Sequence, residues 1–316
     1  MNKLSVVLPA YNEELMIEKA SAALIQLLDQ ASIPFELVFV NDGSKDETWN
    51  RITAESKKDS RVTGVCFSRN FGKEAAIYAG LAHATGDVVA VMDCDLQHPP
   101  ETLLEMYSLW KQGYEVIEGV KRSRGKESVV HRGFTHFFYQ LMSRATGSDM
   151  QNTSDFKMLD RKAVDSILKL PERNMFFRAT SLWIGYRSVQ VSYDVREREE
   201  GESKWSTKSL IRYALNNMVS FTTVPLQLVS FVGVLCFVCS LILMIYTLVQ
   251  YFLGHAVEGY STILIVLLLL GSAIMVSLGM IGYYLGKIYE EVKQRPRYIV
   301  SETTSSQKQK KEGSRE

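Results

Sequence analysis

Short apolar runs alternate with amphipathic stretches along the first 120 residues. Leu4 to Leu8, Glu36 to Val40, Val62 to Phe67, Asp87 to Met92 and Val116 to Val120 predict five strands. Leu15 to Gln30, Thr48 to Lys57, Lys73 to Thr85 and Glu101 to Gln112 predict helices between them, the last set off by Pro99-Pro100. Regular βα alternation predicts an α/β domain with a mainly parallel sheet and helices on both faces. A different pattern begins after residue 200. Leu228 to Leu253 and Ile263 to Leu285 are continuous apolar runs, each longer than the roughly 20 residues that cross a bilayer.

Net charge is only +1, so no overall field points to nucleic acid. The average hides an asymmetry. Between Arg212 and Lys287 there is no Lys or Arg, and the only acid is Glu258. Lys204, Lys208 and Arg212 precede the first run; Lys287, Lys293, Arg295 and Arg297 follow the second. The positive-inside rule then predicts two spans in a cell membrane, with the first 200 residues and both termini cytoplasmic. Neither run is placed as a cleaved N-terminal signal. Trp205 to Val224 carries Leu210, Ile211, Ala214, Leu215, Met218 and Val219 on one helical face, the pattern of a helix lying in the headgroup plane before Pro225. A second apolar face, Phe134, Phe137, Phe138, Leu141 and Met142, suits either the membrane surface or packing on the sheet. The domains expected are 1–200 (cytoplasmic), 201–225 (interfacial), 226–288 (two transmembrane helices) and 289–316 (a cytoplasmic basic tail, disordered after Ser301). Cys66 and Cys94 fall in the reducing compartment, and Cys236 and Cys239 read as small apolar residues within a span.

The candidate chemistry sits at strand ends. The fourth strand ends in Asp93-Cys94-Asp95-Leu96-Gln97. Carboxyl ends of strands are where open α/β sheets place ligands. Two carboxylates one residue apart suit a hard divalent ion, Mg²⁺ or Mn²⁺, that takes its other ligands from a diphosphate; taken alone, the pair reads more readily as a solvated acidic turn. Pro9-Ala10-Tyr11-Asn12-Glu13-Glu14 ends the first strand and Asn41-Asp42-Gly43-Ser44-Lys45-Asp46 the second. The three clusters together outline a nucleotide-sugar pocket, and the absence of Gly-x-Gly-x-x-Gly and P-loop patterns removes support for dinucleotide redox chemistry and ATP hydrolysis.

These motifs carry a resemblance. Val-Leu-Pro-Ala-Tyr-Asn-Glu (7–13), Asn-Asp-Gly-Ser (41–44), Phe-Ser-Arg-Asn-Phe-Gly-Lys (67–73), Met-Asp-Cys-Asp-Leu-Gln-His-Pro-Pro-Glu (92–101), Gly-Glu-Ser-Lys-Trp (201–205) and Arg-Pro-Arg-Tyr (295–298) resemble family-two glycosyltransferases of GT-A (Rossmann-like) fold. More narrowly, the chain resembles membrane-anchored polyprenyl-phosphate glycosyltransferases, including bactoprenol glucosyltransferases and dolichyl-phosphate-mannose synthases. Asn41 departs from the usual Asp-Asp-Gly-Ser, leaving Asp42 as the acid, and Cys94 replaces a usual small residue. The resemblance implies that Pro9, Tyr11, Glu13 and Asp42 hold the nucleoside. It implies that Asp93, Asp95 and Gln97 hold metal, diphosphate and sugar, with Asp95 and Asp93 as the metal ligands.

The resemblance places Asp155 beside the sugar as the candidate base or positioning group, with a helix-capping acid as the plain alternative. Lys121, Arg122, Arg124, Lys126 and Arg132 suit a clamp for a lipid phosphate at the membrane, or a solvated basic loop. Arg196, Arg198, Ser203 and Lys204 suit closure over the donor diphosphate. The implied reaction transfers glucose or N-acetylglucosamine from a UDP-sugar to undecaprenyl phosphate with inversion. A GDP-mannose or UDP-aminoarabinose donor, or a non-catalytic scaffold, is the alternative. A processive polysaccharide synthase is disfavoured because Gln-x-x-Arg-Trp does not occur. Sugar, downstream glycan and homo-oligomerisation stay open.

Overall fold

The computed structural model describes residues 2–122, 153–172, 176–194, 224–253 and 259–305. They fall into two compact units: residues up to 194 together with 295–305, and the two long helices, 224–253 and 259–294. In the first unit the expected alternation is present as β1 (Leu4–Ala10), α1 (Ile17–Gln30), β2 (Phe35–Asn41), α2 (Thr48–Lys58), β3 (Val62–Phe67), α3 (Lys73–His83), β4 (Val88–Val91), α4 (Thr102–Lys111) and β5 (Val116–Lys121). β6 (Thr153–Asp160), α5 (Arg161–Lys169), α6 (Phe177–Trp183) and β7 (Ser188–Tyr193) follow. β8 (Val300–Thr303) closes the unit.

The eight strands form one sheet in the order β7-β5-β6-β4-β1-β2-β3-β8. β1–β2, β1–β4, β2–β3 and β5–β7 run parallel. β6 lies antiparallel between β4 and β5, and β8 is antiparallel to β3. The sheet is therefore Rossmann-like but mixed, where the sequence predicted a mainly parallel one. The period-2 alternation of strand side chains divides the core. Leu4, Val6 and Leu8 of β1 pack with Leu24, Leu28 and Met106 on one face. Val7 packs on the other with Ala76, Ile77 and Val164. Gly80 lets α3 approach β1, since a Cβ there would lie 2.1 Å from Val7 Cγ1.

β8 corrects the expectation of a tail disordered after Ser301. Ser301 to Thr303 lie in β8, and Thr304 is buried. Gly64 N–H donates to Thr304 Oγ1 (3.0 Å), and the Tyr298 ring stacks on Phe67 at 4.9 Å. Arg297 donates to Leu170 O (2.6 Å) and lies over the Tyr78 ring at 4.0 Å. The segment covers an edge of β3 whose backbone groups would otherwise be unpaired.

The second unit holds α7 (Val224–Phe252) and α8 (Tyr260–Val292). Pro225 stands in the first turn of α7, where its missing N–H costs no helical bond. Among the described residues, Leu269–Val292 is long and apolar enough to cross a membrane; the apolar stretch of α7, Phe231–Tyr246, is shorter.

Candidate active site

The loops after β1 and β2 are stitched together by backbone N–H donors and short polar side chains. Asn12 N–H donates to Ser44 Oγ (2.9 Å), Lys45 N–H to Asn12 Oδ1 (2.9 Å) and Glu13 N–H to Thr48 Oγ1 (2.8 Å). Asn12 has φ 53°, a left-handed conformation that asparagine tolerates better than most residues. Tyr11 is exposed beside this stitch, Glu13 is half-buried, and Pro9 is buried within β1. Asp42 is buried and its carboxylate faces inward: Phe71 N–H (2.6 Å) and Gly72 N–H (2.9 Å) donate to its two oxygens. Burial pushes this carboxyl up, against the two N–H donors that lower it. Gly43 makes the approach possible. Its φ is +64°, and a Cβ there would lie 2.3 Å from the Arg69 carbonyl carbon. Asp42 and Gly43 thus dock the 67–73 loop onto the end of β2.

After β4 the chain turns sharply. Leu96 has φ 57°, and Gln97 N–H donates to Asp95 Oδ1 at 3.1 Å. Asp95 is buried, and Gln97 is half-buried. His98 is also buried. Its ring stacks on Phe156 at 4.9 Å and meets the edge of Tyr193 at 5.4 Å. Asp93 N–H donates to His98 Nδ1 (3.3 Å), which assigns the ring proton to Nε2. Burial lowers the His98 pKa, so the ring is a neutral acceptor that orients the turn. The Cys94 thiol is pushed well up by burial, which makes it an unreactive space-filler.

Four charges meet beside this turn. Lys73 Nζ lies 2.6 Å from Asp93 Oδ1 and 2.8 Å from Asp155 Oδ2. Arg178 grips Asp155 with Nε at 2.7 Å and Nη2 at 3.0 Å. Lys73 opens α3, Asp155 is on β6 and Arg178 is on α6, so only the antiparallel return of β6 brings them together. Glu74 holds the start of α6 by accepting from Phe177 N–H at 2.9 Å. Lys157, two residues beyond Asp155, pairs with Glu118 of β5 and donates to the Arg178 carbonyl at 3.2 Å. Burial disfavours an ionised Asp155, but Arg178 and Lys73 outweigh it and hold its carboxyl well below the usual range. Asp93 is lowered in the same way, its burial outweighed chiefly by Lys73.

Asp93 and Asp155, predicted separately, thus share one ammonium. Arg122 instead pairs with Asp194 at 2.9 Å on the exposed surface. Arg132, Arg198, Ser203 and Lys204 lie outside the described residues, as do Arg124, Lys126, Arg196, the Phe134–Met142 face and residues 205–223. Sequence reasoning missed Lys73, Arg178 and His98 as site residues. Lys73 and His98 stand inside quoted motifs; Arg178 had no local signal. Among the described residues no cluster of three or more His, Cys, Asp or Glu is disposed to hold a metal. Asp93 and Asp95, at the end of β4, are the one or two carboxylates that a hard ion could take if phosphate oxygens and water completed its shell.

The glycosyl transferase family 2 model matches residues 5–168. An uncharacterized glycosyltransferase of Synechocystis sp. is 38% identical over 302 residues, which cover 95% of this chain and 95% of that protein. The SfII prophage-derived bactoprenol glucosyl transferase of Shigella flexneri is 35% identical over 306 residues, covering 95% of this chain and 98% of its own. Among solved structures, glucosyl-3-phosphoglycerate synthase of Mycobacterium tuberculosis in complex with UDP matches with TM-score 0.48 and 21% identity, over 69% of this chain and 79% of that one.

Proposed function

The chain belongs to glycosyl transferase family 2, and we propose that it moves a sugar from a UDP-sugar to a polyprenyl phosphate at the membrane surface. The observation that carries this choice of acceptor is the state of Asp155. Arg178, at 2.7 and 3.0 Å, and Lys73, at 2.8 Å, engage both of its oxygens, which makes it a poor proton acceptor. A sugar hydroxyl needs a base to become a nucleophile. A phosphate monoester is already anionic and needs none. Bactoprenol glucosyl transferases at 35% identity support the same acceptor class.

In this reading Tyr11, Glu13 and Asp42 form the nucleoside end of the pocket. Pro9 acts from within β1 by fixing the strand end. Asp95 and Asp93 hold Mg²⁺ or Mn²⁺, and Gln97 lies toward the sugar. The ion supplies charge neutralisation at the diphosphate. An acceptor phosphate oxygen forms the new bond to the anomeric carbon as the bond to the UDP oxygen breaks. UDP leaves with that electron pair, no proton is transferred, and the centre inverts. Asp155 with Arg178 fixes the sugar's position. Arg122 and Arg132 attract the lipid phosphate, and Arg198, Ser203 and Lys204 close over the leaving diphosphate.

Both α7 and α8 cross the membrane in this reading, with the catalytic unit and both termini cytoplasmic. The absence of Lys and Arg between the helices supports it, as does the exposure of Phe231, Ile242, Met275 and Leu285. A reporter fused after Glu316 should score as cytoplasmic; an external score overturns the topology.

The deciding assay offers purified protein UDP-glucose, UDP-N-acetylglucosamine and GDP-mannose, each with undecaprenyl phosphate or with unphosphorylated undecaprenol. One UDP-sugar should give a lipid product with the phosphate acceptor alone. Equal transfer to undecaprenol would overturn the acceptor assignment, GDP-mannose as the sole donor would overturn the UDP assignment, and transfer from no donor would favour a scaffold.

A further inference from the structure

Lys73 occupies an unusual place for a lysine. It is the first residue of α3, where the helix dipole disfavours a cation, and the N-cap Gly72 supplies no side-chain cap. Its reason for being there is the pair of carboxylates it touches, Asp93 at 2.6 Å and Asp155 at 2.8 Å. These two partners differ. Asp155 is 5% exposed and is also held by the two-pronged grip of Arg178. Asp93 is 31% exposed, and among the described residues Lys73 is the only cation paired with it. Lys73 itself is 38% exposed, on a flexible four-carbon stem.

We propose that Lys73 is an exchangeable countercharge, which neutralises Asp93 until a divalent ion arrives, then keeps its hold on Asp155 and turns its freed N–H donors to the donor diphosphate. This deepens the function proposed above and rests on the assignment of the metal to Asp93 and Asp95. The logic is electrostatic. An unpaired Asp93 beside the buried Asp95 and Asp155 would be costly, so Asp93 needs a cation beside it. A dication brings two charges and a preference for carboxylate oxygen, and one ammonium cannot hold Asp93 against it when a diphosphate is also present. Asp155 and Arg178 form the fixed side of the exchange. The ammonium has three donors, so losing Asp93 leaves it able to bind phosphate while still tethered.

The test measures Mn²⁺ binding to the purified full-length protein without nucleotide, from the electron paramagnetic resonance signal of free Mn²⁺. Lys73→Met removes the competitor and should tighten Mn²⁺ by about tenfold or more. Lys73→Arg keeps the charge and should bind Mn²⁺ like the wild type. With Mn²⁺ saturating, Lys73→Met should bind UDP about tenfold more weakly, because the transferred donors are gone. If Lys73→Met bound Mn²⁺ no tighter than the wild type, the exchange is wrong while the metal assignment stands. If neither protein bound Mn²⁺ with or without UDP, the metal assignment fails and the exchange with it. A second measurement needs no variant. Mn²⁺ alone should speed labelling of Lys73 by an amine-reactive reagent, read by peptide mass spectrometry, and Mn²⁺ with UDP should slow it again. Labelling that ignored Mn²⁺ would also overturn the exchange.

Discussion

Lys157→Met tests whether the charged site rests on a buried ion pair. The Lys157 and Glu118 side chains are 0% and 2% exposed, facing each other across β5 and β6. Burial lowers the Lys157 pKa, and Glu118 opposes that by holding the ammonium. Met matches the stem of Lys in length and packs without a charge. It leaves Glu118 buried, with Gln190 Nε2 at 3.4 Å as a weak remaining donor. Removing one partner of such a pair costs about 3–5 kcal/mol. At about 2–4 °C per kcal/mol for a unit of this size, Tm should fall by roughly 6–20 °C. Lys157→Met/Glu118→Leu removes both charges and should return to within about 1 kcal/mol of the wild type, recovering about 2–4 kcal/mol of the single-variant loss. Urea unfolding of the detergent-solubilised protein, followed by tryptophan fluorescence, measures all four corners of the cycle. Transferase activity supplies a second reading. Lys157 also holds the Arg178 carbonyl, so the double variant should regain stability without regaining full kcat. A single-variant loss under about 1 kcal/mol, or a double variant as unstable as the single, would refute the reasoning.

Three further outcomes follow from the geometry. Gly43→Ala places a methyl group against the Arg69 backbone at φ +64°; it should cost about 1–3 kcal/mol and raise the donor KM as the 67–73 loop lifts, measured by melting and steady-state kinetics. Tyr298→Ala removes the ring stacked on Phe67 and should cost about 2 kcal/mol in the same melting assay. Glu36 accepts from Lys3 Nζ, Ser5 Oγ and Thr85 N–H, which together outweigh its burial and depress its pKa below the ordinary 4.5. Its stabilisation is therefore present above about pH 4.5 and lost as pH falls through the lower folded value, so Glu36→Gln should destabilise at neutral pH and match the wild type at low pH, read from unfolding midpoints across pH.

The local signals that reached the sequence were periodic ones. Apolar runs of β1 to β5 and the helices between them repeat at the spacing of their own backbone, so they are legible one window at a time. Strand ends then locate Tyr11, Asp42, Asp93 and Asp95, because a parallel sheet puts all its carboxyl ends on one edge. Long runs without charge mark α7 and α8 by composition alone. β6 escaped because Asp155 and Lys157 break its apolar pattern; both are buried only because Arg178, Lys73 and Glu118 reach them from other elements. β8 escaped because four mostly polar residues become a strand only against the open edge of β3. The same holds at the centre of the site. Asp93 and Asp155 are 62 positions apart, and no spacing rule links them. The alternating framework and the acids at its edge are legible in the chain alone, since those depend on local periodicity. The antiparallel return of β6, and with it the Lys73 and Arg178 pairings that set the charge of those acids, was decided by tertiary structure, since an ion pair depends on distance in space and not along the chain.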